Sequence, residues 1–484
     1  MQTVPRRLQF PRFARCCVLP ILLLIAVHAA AGELPAAVRN ALKRAGIPLA
    51  AVGIEVQQTG SDKPWLAVNG DDAFSPASTM KLLTTQAALE LLGPTYTWKT
   101  QAYVNGSISG DVLQGDLIFK GSGDPKLVTE NFWLFLRQIR DAGLREIRGN
   151  VVLDRSAFEQ VQVDPAKFDG DPGKPYNVAP DALLLNYQSL RFQFNPVALG
   201  GTPQISIDPP LADFDIVSPH WAAGECGDWQ GRLGANIGES GARFTGSYAN
   251  ACGIKSWYVV PYQMTPDQYF SAVFRKMWRD LGGRFTGKVL DGTVPTDARL
   301  VSVWESPALA ETIRDMNKFS NNLMARQLLL TLSTTGSTGS DASAPASAAR
   351  GAQVVAGWMA SKGIAAPELV VENGSGLSRA ERIAPANMAR LLQAAYHSPL
   401  MPEFIASMPL VGYDGTMRHR LNDQSVAGNA HIKTGTLNEV KAIAGYLVAA
   451  SGKTYVVVFF INHANAAGGG AAQDALLQWL YAEG

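Results

Sequence analysis

Three short stretches hold the residue types of a serine nucleophile with lysine partners. In Ser78-Thr79-Met80-Lys81 a hydroxyl and an amine stand three residues apart at the head of an apolar run. On a helix, Lys81 then projects from nearly the same face as Ser78, one turn on, within reach of its hydroxyl. Ser320-Asn321-Asn322 adds a second hydroxyl and, two residues later, a carboxamide. Lys433-Thr434-Gly435, followed by Thr436, adds a second amine, two more hydroxyls and a position with no side chain. Each alone is a common chance pattern: an exposed helix lysine, a turn, a strand end. In this order, at a helix start, at a junction between helices and on a sheet strand, they read as one split nucleophile site.

The chemistry sets conditions on its surroundings. Ser78 at a helix start sits where backbone N–H groups and the macrodipole favour developing negative charge. Lys81 must be neutral to accept a proton, and an unperturbed lysine is neutral only about one time in a thousand at pH 7.4. Burial and a second cation would lower it, and Lys433 is the candidate cation. Whether Lys81 or another group takes the first proton stays open at this level. Ser320 is expected to relay a proton between the lysines and a leaving amine, and Asn322 to hold a substrate amide. Lys433, Thr434 and Thr436 are expected to bind a terminal carboxylate, while Gly435 lets a peptide lie edge-on against the strand. The N–H groups of Ser78 and Thr436 form the expected oxyanion pair.

Competing chemistry finds little support. Ser451-Gly452-Lys453-Thr454 imitates the end of a P-loop, but Leu447 stands where the first glycine belongs and the context is a hairpin. Gly374-Ser375-Gly376 lacks the first glycine of a nucleophile elbow, since Glu372 and Asn373 precede it. The six histidines form no H-E-x-x-H or Cys/His cluster, so neither a metal nor a cofactor is expected. A net charge of +1 without a basic block beyond the N-terminus gives no reason to expect nucleic acid.

The N-terminus reads as an export signal over 1–31. Arg6, Arg7, Arg12 and Arg15 precede the apolar stretch from Val18 to Val27, and Ala29-Ala30-Ala31 offers a cleavage site. No later segment is long and apolar enough for a membrane anchor. Cys16 and Cys17 precede the apolar stretch, which argues against a lipoprotein cysteine. The expectation is an exported periplasmic protein, soluble or peripherally attached to the membrane. Cys226 and Cys252 remain in the mature chain, and in an oxidising compartment they most simply pair.

Elements that must position these residues are legible at both ends of the chain. Leu49 to Val56 and Trp65 to Val68 read as strands, and Ser78 to about Leu92 as a helix apolar around most of its circumference. Ser306-Pro307 reads as an N-cap and first turn, and a further helix runs from about Asn322 to Leu332. His431 to Thr436, Lys441 to Ala449 and Thr454 to Asn462 read as antiparallel strands, closed by a helix from Gln473 to Tyr481. Together these predict an α+β catalytic domain over 32–95 and 298–484: a five-stranded antiparallel sheet flanked by helices. Between its halves, 96–297 alternates short β-type runs with Gly/Pro-rich turns and reads as an inserted β-rich region of two subdomains. Ser333 to Ala349, rich in Ser, Thr, Gly and Ala, reads as a mobile surface loop.

The three motifs resemble those of the penicillin-recognising serine hydrolases, and within them the class C low-molecular-mass penicillin-binding proteins. These are the penicillin-binding protein 4 type of D-Ala-D-Ala carboxypeptidase/endopeptidase. Gly121-Ser122-Gly123-Asp124-Pro125, Leu183-Leu184-Leu185-Asn186, Asn373-Gly374-Ser375-Gly376-Leu377-Ser378-Arg379, Asp414-Gly415-Thr416 and Gly445-Tyr446 extend the likeness. So does the long gap between Ser78 and Ser320, since this family carries extra domains there. The resemblance implies a penicillin-binding, β-lactamase-like transpeptidase fold and cleavage of D-alanyl bonds in peptidoglycan peptides through an acyl-Ser78 intermediate. It also implies acylation by β-lactams, and a part for Asp154 and Arg379 in reading the peptide side chain. Asp414-Gly415-Thr416 gains no role beyond a turn. Two rivals share the scaffold. A β-lactamase would need a group to activate water on the acyl-enzyme, and Ser320-Asn321-Asn322 differs from the Ser-Asp-Asn of class A enzymes, with no Glu-x-x-x-Asn in a suitable loop. A non-catalytic wall-binding or sensor protein would have no need of intact Ser78, Lys81, Ser320 and Lys433.

Overall fold

The computed structural model describes residues 33–161, 163–197, 203–335 and 344–484, besides Met1. The expected signal segment otherwise lies outside the described residues, as does the middle of the 333–349 tract. Among the described residues no helix is long and apolar enough to cross a membrane.

Five strands form one antiparallel sheet in the spatial order Ala430–Leu437, Val440–Val448, Thr454–Asn462, Val52–Gln58, Leu66–Val68. The two ends of the chain meet in it, with Ile54 opposite Phe459. Successive side chains point to opposite faces. Ala442, Ala444, Tyr446, Val456, Val458 and Phe460 enter a core shared with the helices Met80–Leu92, Leu309–Lys318, Asn322–Leu332, Ala348–Ser361 and Pro385–Tyr396. Ile432, Ile443, Leu447, Val457, Phe459 and Ile461 meet the helices Ala36–Arg44 and Gly470–Glu483 on the other face. Cover on both faces explains why Thr454–Asn462 is an unbroken apolar run rather than an alternation. The helix behind Ser78 is wrapped on all sides, and every residue from Met80 to Leu89 is buried.

The inserted region leaves and rejoins this domain at one point, and it also packs on it through Lys126–Asp315 and Asp181–Gln327. Trp98 N donates to Ser306 Oγ at 3.0 Å, and Ser306 N donates back to Trp98 O at 3.0 Å, closing the two ends of the excursion. Ser306 therefore does not cap the following helix; Ala308 occupies that position. A seven-stranded sheet has Arg299–Glu305 at one edge with Lys99–Ser109 beside it, and two smaller sheets share one aromatic-rich core with it. Because Arg299–Glu305 pairs antiparallel with Lys99–Ser109, the chain stays in the inserted sheet to Glu305, past the boundary at 298 that composition suggested. The region also holds two helices, Thr129–Asp141 and Pro266–Asp280. The second opens on a capping box between Thr265 and Gln268 with Pro266 in its first turn, a signal present in the sequence. Cys226 and Cys252 are bonded.

The described ends of the 333–349 tract are tied down rather than free. Ser347 accepts from Arg350 N and caps the helix Ala348–Ser361, its own N–H donates to Ser333 Oγ at 3.1 Å, and Ala346 is fully buried.

Candidate active site

The chain turns sharply into Ser78. Ala77 holds the left-handed conformation (φ +45), and a 3-10 turn over Ala77–Thr79 runs straight into the helix Met80–Leu92. Ser78 is half-buried and Lys81 is completely buried. Two glycines make room for this turn. A Cβ on Gly435 would lie 2.9 Å from both Pro76 O and Ser78 N, and one on Gly376 would lie 1.8 Å from Ala77 O. The missing side chain of Gly435 thus seats the strand Ala430–Leu437 against the Ser78 turn, a use distinct from clearing the strand for a peptide.

Lys81 Nζ has three neighbours. Ser78 Oγ is at 3.0 Å, Asn322 Oδ1 at 2.6 Å, and the carbonyl oxygen of Ser375 completes the set. Two of these can only accept, so a neutral amine satisfies them with its two hydrogens and turns its lone pair to the Ser78 hydroxyl. The electrostatics favour that form. Burial first, then the charge of Lys433, push Lys81 well below the ordinary lysine range; Glu381 acts in the opposite sense and Arg326 in the same one. Lys433, also fully buried, donates to Ser320 Oγ at 2.8 Å and to Thr434 O at 2.8 Å, and burial lowers it to about 7.

Ser320 lies between the helices Leu309–Lys318 and Asn322–Leu332 in the left-handed region, φ +56. Such a conformation costs a non-glycine residue of order 1 kcal/mol and persists where surrounding contacts hold it. Asn321 caps the second helix, accepting from Met324 N at 3.0 Å, so the middle residue of the motif is structural. Asn322 gives its Oδ1 to Lys81 and leaves Nδ2 without a protein partner among the described residues. Thr434 donates to Thr416 Oγ1 at 2.7 Å, and Thr436 is exposed.

The loop that supplies Ser375 O is wound around a buried carboxylate that sequence reading passed over. Glu381 Oε1 accepts from the N–H groups of Glu372 (3.1 Å), Asn373 (2.9 Å) and Gly374 (2.8 Å), and Oε2 from that of Gly376 (2.8 Å). Burial raises its pKa above the usual carboxylate range, and these four donors work against that rise. Thr416, expected only to form part of a turn, is the partner of Thr434.

Arg379 and Asp154 are placed differently. Arg379 is exposed, donates to Asn438 O at 3.0 Å and stacks 5.1 Å from the Phe168 ring. It walls a cavity of about 560 Å³, also lined by Lys167, Phe168, Arg326, Glu372 and Ser378. Asp154 is not part of that wall. It is 2 % exposed, and its oxygens accept from Ser156 N at 3.0 Å and Val294 N at 2.9 Å. Burial raises its pKa, but those hydrogen bonds outweigh burial and hold it below the ordinary value. Among the described residues no group of three or more His, Cys, Asp or Glu could hold a metal ion.

With two amines, two hydroxyls and a carboxamide converging, the site can activate Ser78, pass a proton along Ser320, and hold an anion near Lys433. Comparison with known proteins fits this chemistry. The model of the D-Ala-D-Ala carboxypeptidase 3 (S13) family matches residues 34–483. The chain is 26 % identical over 400 residues to the D-alanyl-D-alanine carboxypeptidase DacB of Haemophilus influenzae, covering 81 % of each. It is 25 % identical over 442 residues to a D-alanyl-D-alanine carboxypeptidase of Actinomadura sp. (strain R39), covering 88 % of this chain and 80 % of the other. The crystal structure of penicillin binding protein 4 from Haemophilus influenzae superposes with a TM-score of 0.73 at 23 % identity, covering 92 % of this chain and 99 % of that one. That likeness shows the fold, and the same protein has also been solved in complex with a β-lactam.

Proposed function

The chain belongs to the D-Ala-D-Ala carboxypeptidase 3 (S13) family, and with it to the serine DD-peptidases, and we propose that Ser78, Lys81, Ser320, Asn322 and Lys433 carry its reaction. The observation behind the assignment is the setting of Lys81 Nζ, 3.0 Å from Ser78 Oγ: in the neutral form that burial and Lys433 favour, Asn322 Oδ1 and Ser375 O take its two hydrogens and its lone pair is left for the Ser78 hydroxyl.

Lys81 takes the proton as Ser78 Oγ bonds to the carbonyl carbon of the penultimate D-alanine. The N–H groups of Ser78 and Thr436 receive the developing oxyanion. Collapse of that intermediate breaks the C–N bond, and the leaving amine gains a proton passed through Ser320 from the lysines. Water then cleaves the acyl-Ser78 ester, returning the hydroxyl. Lys433, charged below about pH 7, binds the terminal carboxylate with Thr436, and Thr434 joins them by turning its hydroxyl from Thr416. Gly435 keeps that strand close to the Ser78 turn, and Asn322 Nδ2 donates to a substrate carbonyl. Of the two residues expected to read the peptide side chain, Arg379 is the one we retain, since it walls the cavity.

The substrates are peptidoglycan stem peptides and cross-bridges, in the periplasm, to which the N-terminal Arg-rich and apolar pattern directs the chain. β-Lactams acylate the same serine; the β-lactam complex of the Haemophilus influenzae protein supports this. The test is the intact mass of the mature protein after incubation with penicillin. Wild type should gain one penicillin and Ser78→Ala none; adduct on both, or on neither, sinks the assignment. Digestion of purified muropeptides, following free D-alanine against monomer released from dimers, then reads carboxypeptidase and endopeptidase action separately.

A further inference from the structure

The Asp414-Gly415-Thr416 turn has no part in the reaction just described, yet it is built into the site from both sides. Lys318, the last residue of the helix Leu309–Lys318, has a side chain only 6 % exposed, and its ammonium lies 2.7 Å from Asp414 Oδ2. The other carboxylate oxygen, Oδ1, accepts from Leu410 N at 2.8 Å, which fixes the carboxylate in its turn. Gly415 is in the left-handed region (φ +54), and a Cβ there would meet Lys318 O at 2.5 Å, so the turn lies directly against the helix end.

From this contact two arms reach the reacting groups. On one side Lys318 stands two residues before Ser320, and the bend between them is closed by Asn321 N donating to Met316 O at 2.9 Å. On the other side Thr416 accepts the hydrogen bond of Thr434, whose neighbour in the chain is Lys433. Lys433 Nζ to Ser320 Oγ, at 2.8 Å, closes the ring. The two motifs are far apart in sequence, and within this ring the Lys318–Asp414 ion pair is the charged cross-link between their backbones.

We infer that Lys318 and Asp414 are positioning residues for the reaction, setting the distance between Ser320 and Lys433 by clamping the end of one helix to the turn beneath the Lys433 strand. The inference rests on the assignment of Ser320 and Lys433 to the site. A buried lysine that loses its carboxylate is left with an uncompensated charge. The helix end and the turn then relax, and the proton path through Ser320 lengthens.

The test compares Lys318→Met, Lys318→Arg and Asp414→Asn with wild type, resolving acylation of Ser78 by a fluorescent penicillin into its saturating rate and its half-saturation concentration. A displacement of about 1 Å in a proton path costs up to about 100-fold in rate. Folded Lys318→Met should therefore still bind one penicillin per chain, but with a saturating rate reduced by about 10–100-fold. Lys318→Arg should recover most of that loss, and Asp414→Asn, which keeps an oxygen for Leu410 N–H, should resemble Lys318→Met. A merely structural pair would lower the melting temperature and leave the rate per folded site unchanged. Folded Lys318→Met acylating at the wild-type rate overturns the inference; if that variant does not fold, folded Asp414→Asn at the wild-type rate does so instead. Failure of the wild type itself to take up penicillin would strike the functional assignment, a separately visible outcome.

Discussion

Lys433 Nζ and Ser320 Oγ lie 2.8 Å apart although 113 residues separate them in the chain. That contact joins the second amine of the site to the second hydroxyl, as Lys81 joins the first amine to Ser78. The charge of Lys433 also lowers the proton affinity of Lys81, so their titrations belong to the pair.

The pH profile of acylation should show this division. Lys81 must be deprotonated to accept the Ser78 proton, and its pKa is well below normal, so activity rises early. With Lys433 in its proposed role, carboxylate is bound only while the amine is charged, so second-order acylation by a carboxylate-bearing penicillin should fall as pH passes about 7. Lys433→Arg, charged throughout, should extend the plateau to higher pH. A wild-type rate that stays flat between about pH 7 and 9 contradicts this.

Asn322→Asp replaces the amide oxygen 2.6 Å from Lys81 with a carboxylate. An opposite charge at that distance raises a lysine pKa by about 1–3 units, so the rising limb of the same profile should move to higher pH. Asn322→Ala, which introduces no charge, should lower the rate without moving the limb upward. Identical profiles for Asp and wild type would show that Lys81 is not the group titrating.

Gly435→Ala puts a methyl 2.9 Å from Ser78 N and Pro76 O, both backbone atoms with no flexible end to yield. The Ser78 turn must shift, and acylation should fall by about 100-fold while the fold survives. Stopped-flow acylation together with a thermal melt separates the two effects.

Stability should carry a signature of Glu55, which lies on the interior strand Val52–Gln58 and is raised to about 7, by burial first and by Asp71 second. The unfolded chain ionises this carboxyl near 4.5, whereas the folded chain keeps it protonated to about 7. The unfolded state thus binds fewer protons across that window, and the folded state loses stability as pH rises through it. Glu55→Gln should therefore gain melting temperature relative to wild type at pH 8 but not at pH 4. An equal difference at both values would refute the shift.

Removing the Cys226–Cys252 bond, whose partners are 26 residues apart, should cost up to about 3.5 kcal/mol in the loop-entropy model. The bond lies in the inserted region, so Cys226→Ser with Cys252→Ser should melt earlier yet acylate at the wild-type rate. Denaturant unfolding and penicillin labelling on one sample check both halves.

Residue type and spacing were enough to determine the three motifs, the sheet strands around Lys433 and the buried helix behind Ser78. Each is a local property: a serine and a lysine one turn apart, a run of β-branched and aromatic residues, an apolar cylinder. The helix Pro266–Asp280 was just as local, with its capping box written out, and only the β-rich composition around it hid the signal. Other features had no local signature at all. Glu381 stands in Arg379-Ala380-Glu381-Arg382, which looks like any solvated charge run, and only the folding of the 372–376 loop around it makes it the acceptor of four backbone N–H groups. Arg299–Glu305 has strand character wherever it is placed; which sheet it joins depends on finding Lys99–Ser109.

What tertiary structure alone decided is the state and aim of the reacting groups. No window of sequence reports that Lys81, besides reaching Ser78, is enclosed by Asn322 Oδ1 and Ser375 O, because those atoms come from two distant segments. The same holds for Gly435, whose empty side is filled by the Ser78 turn, and for Lys318, whose counter-ion is Asp414. Burial, proton affinity and hydrogen-bond direction depend on what lies within a few ångströms in space, and chain order constrains that only for near neighbours.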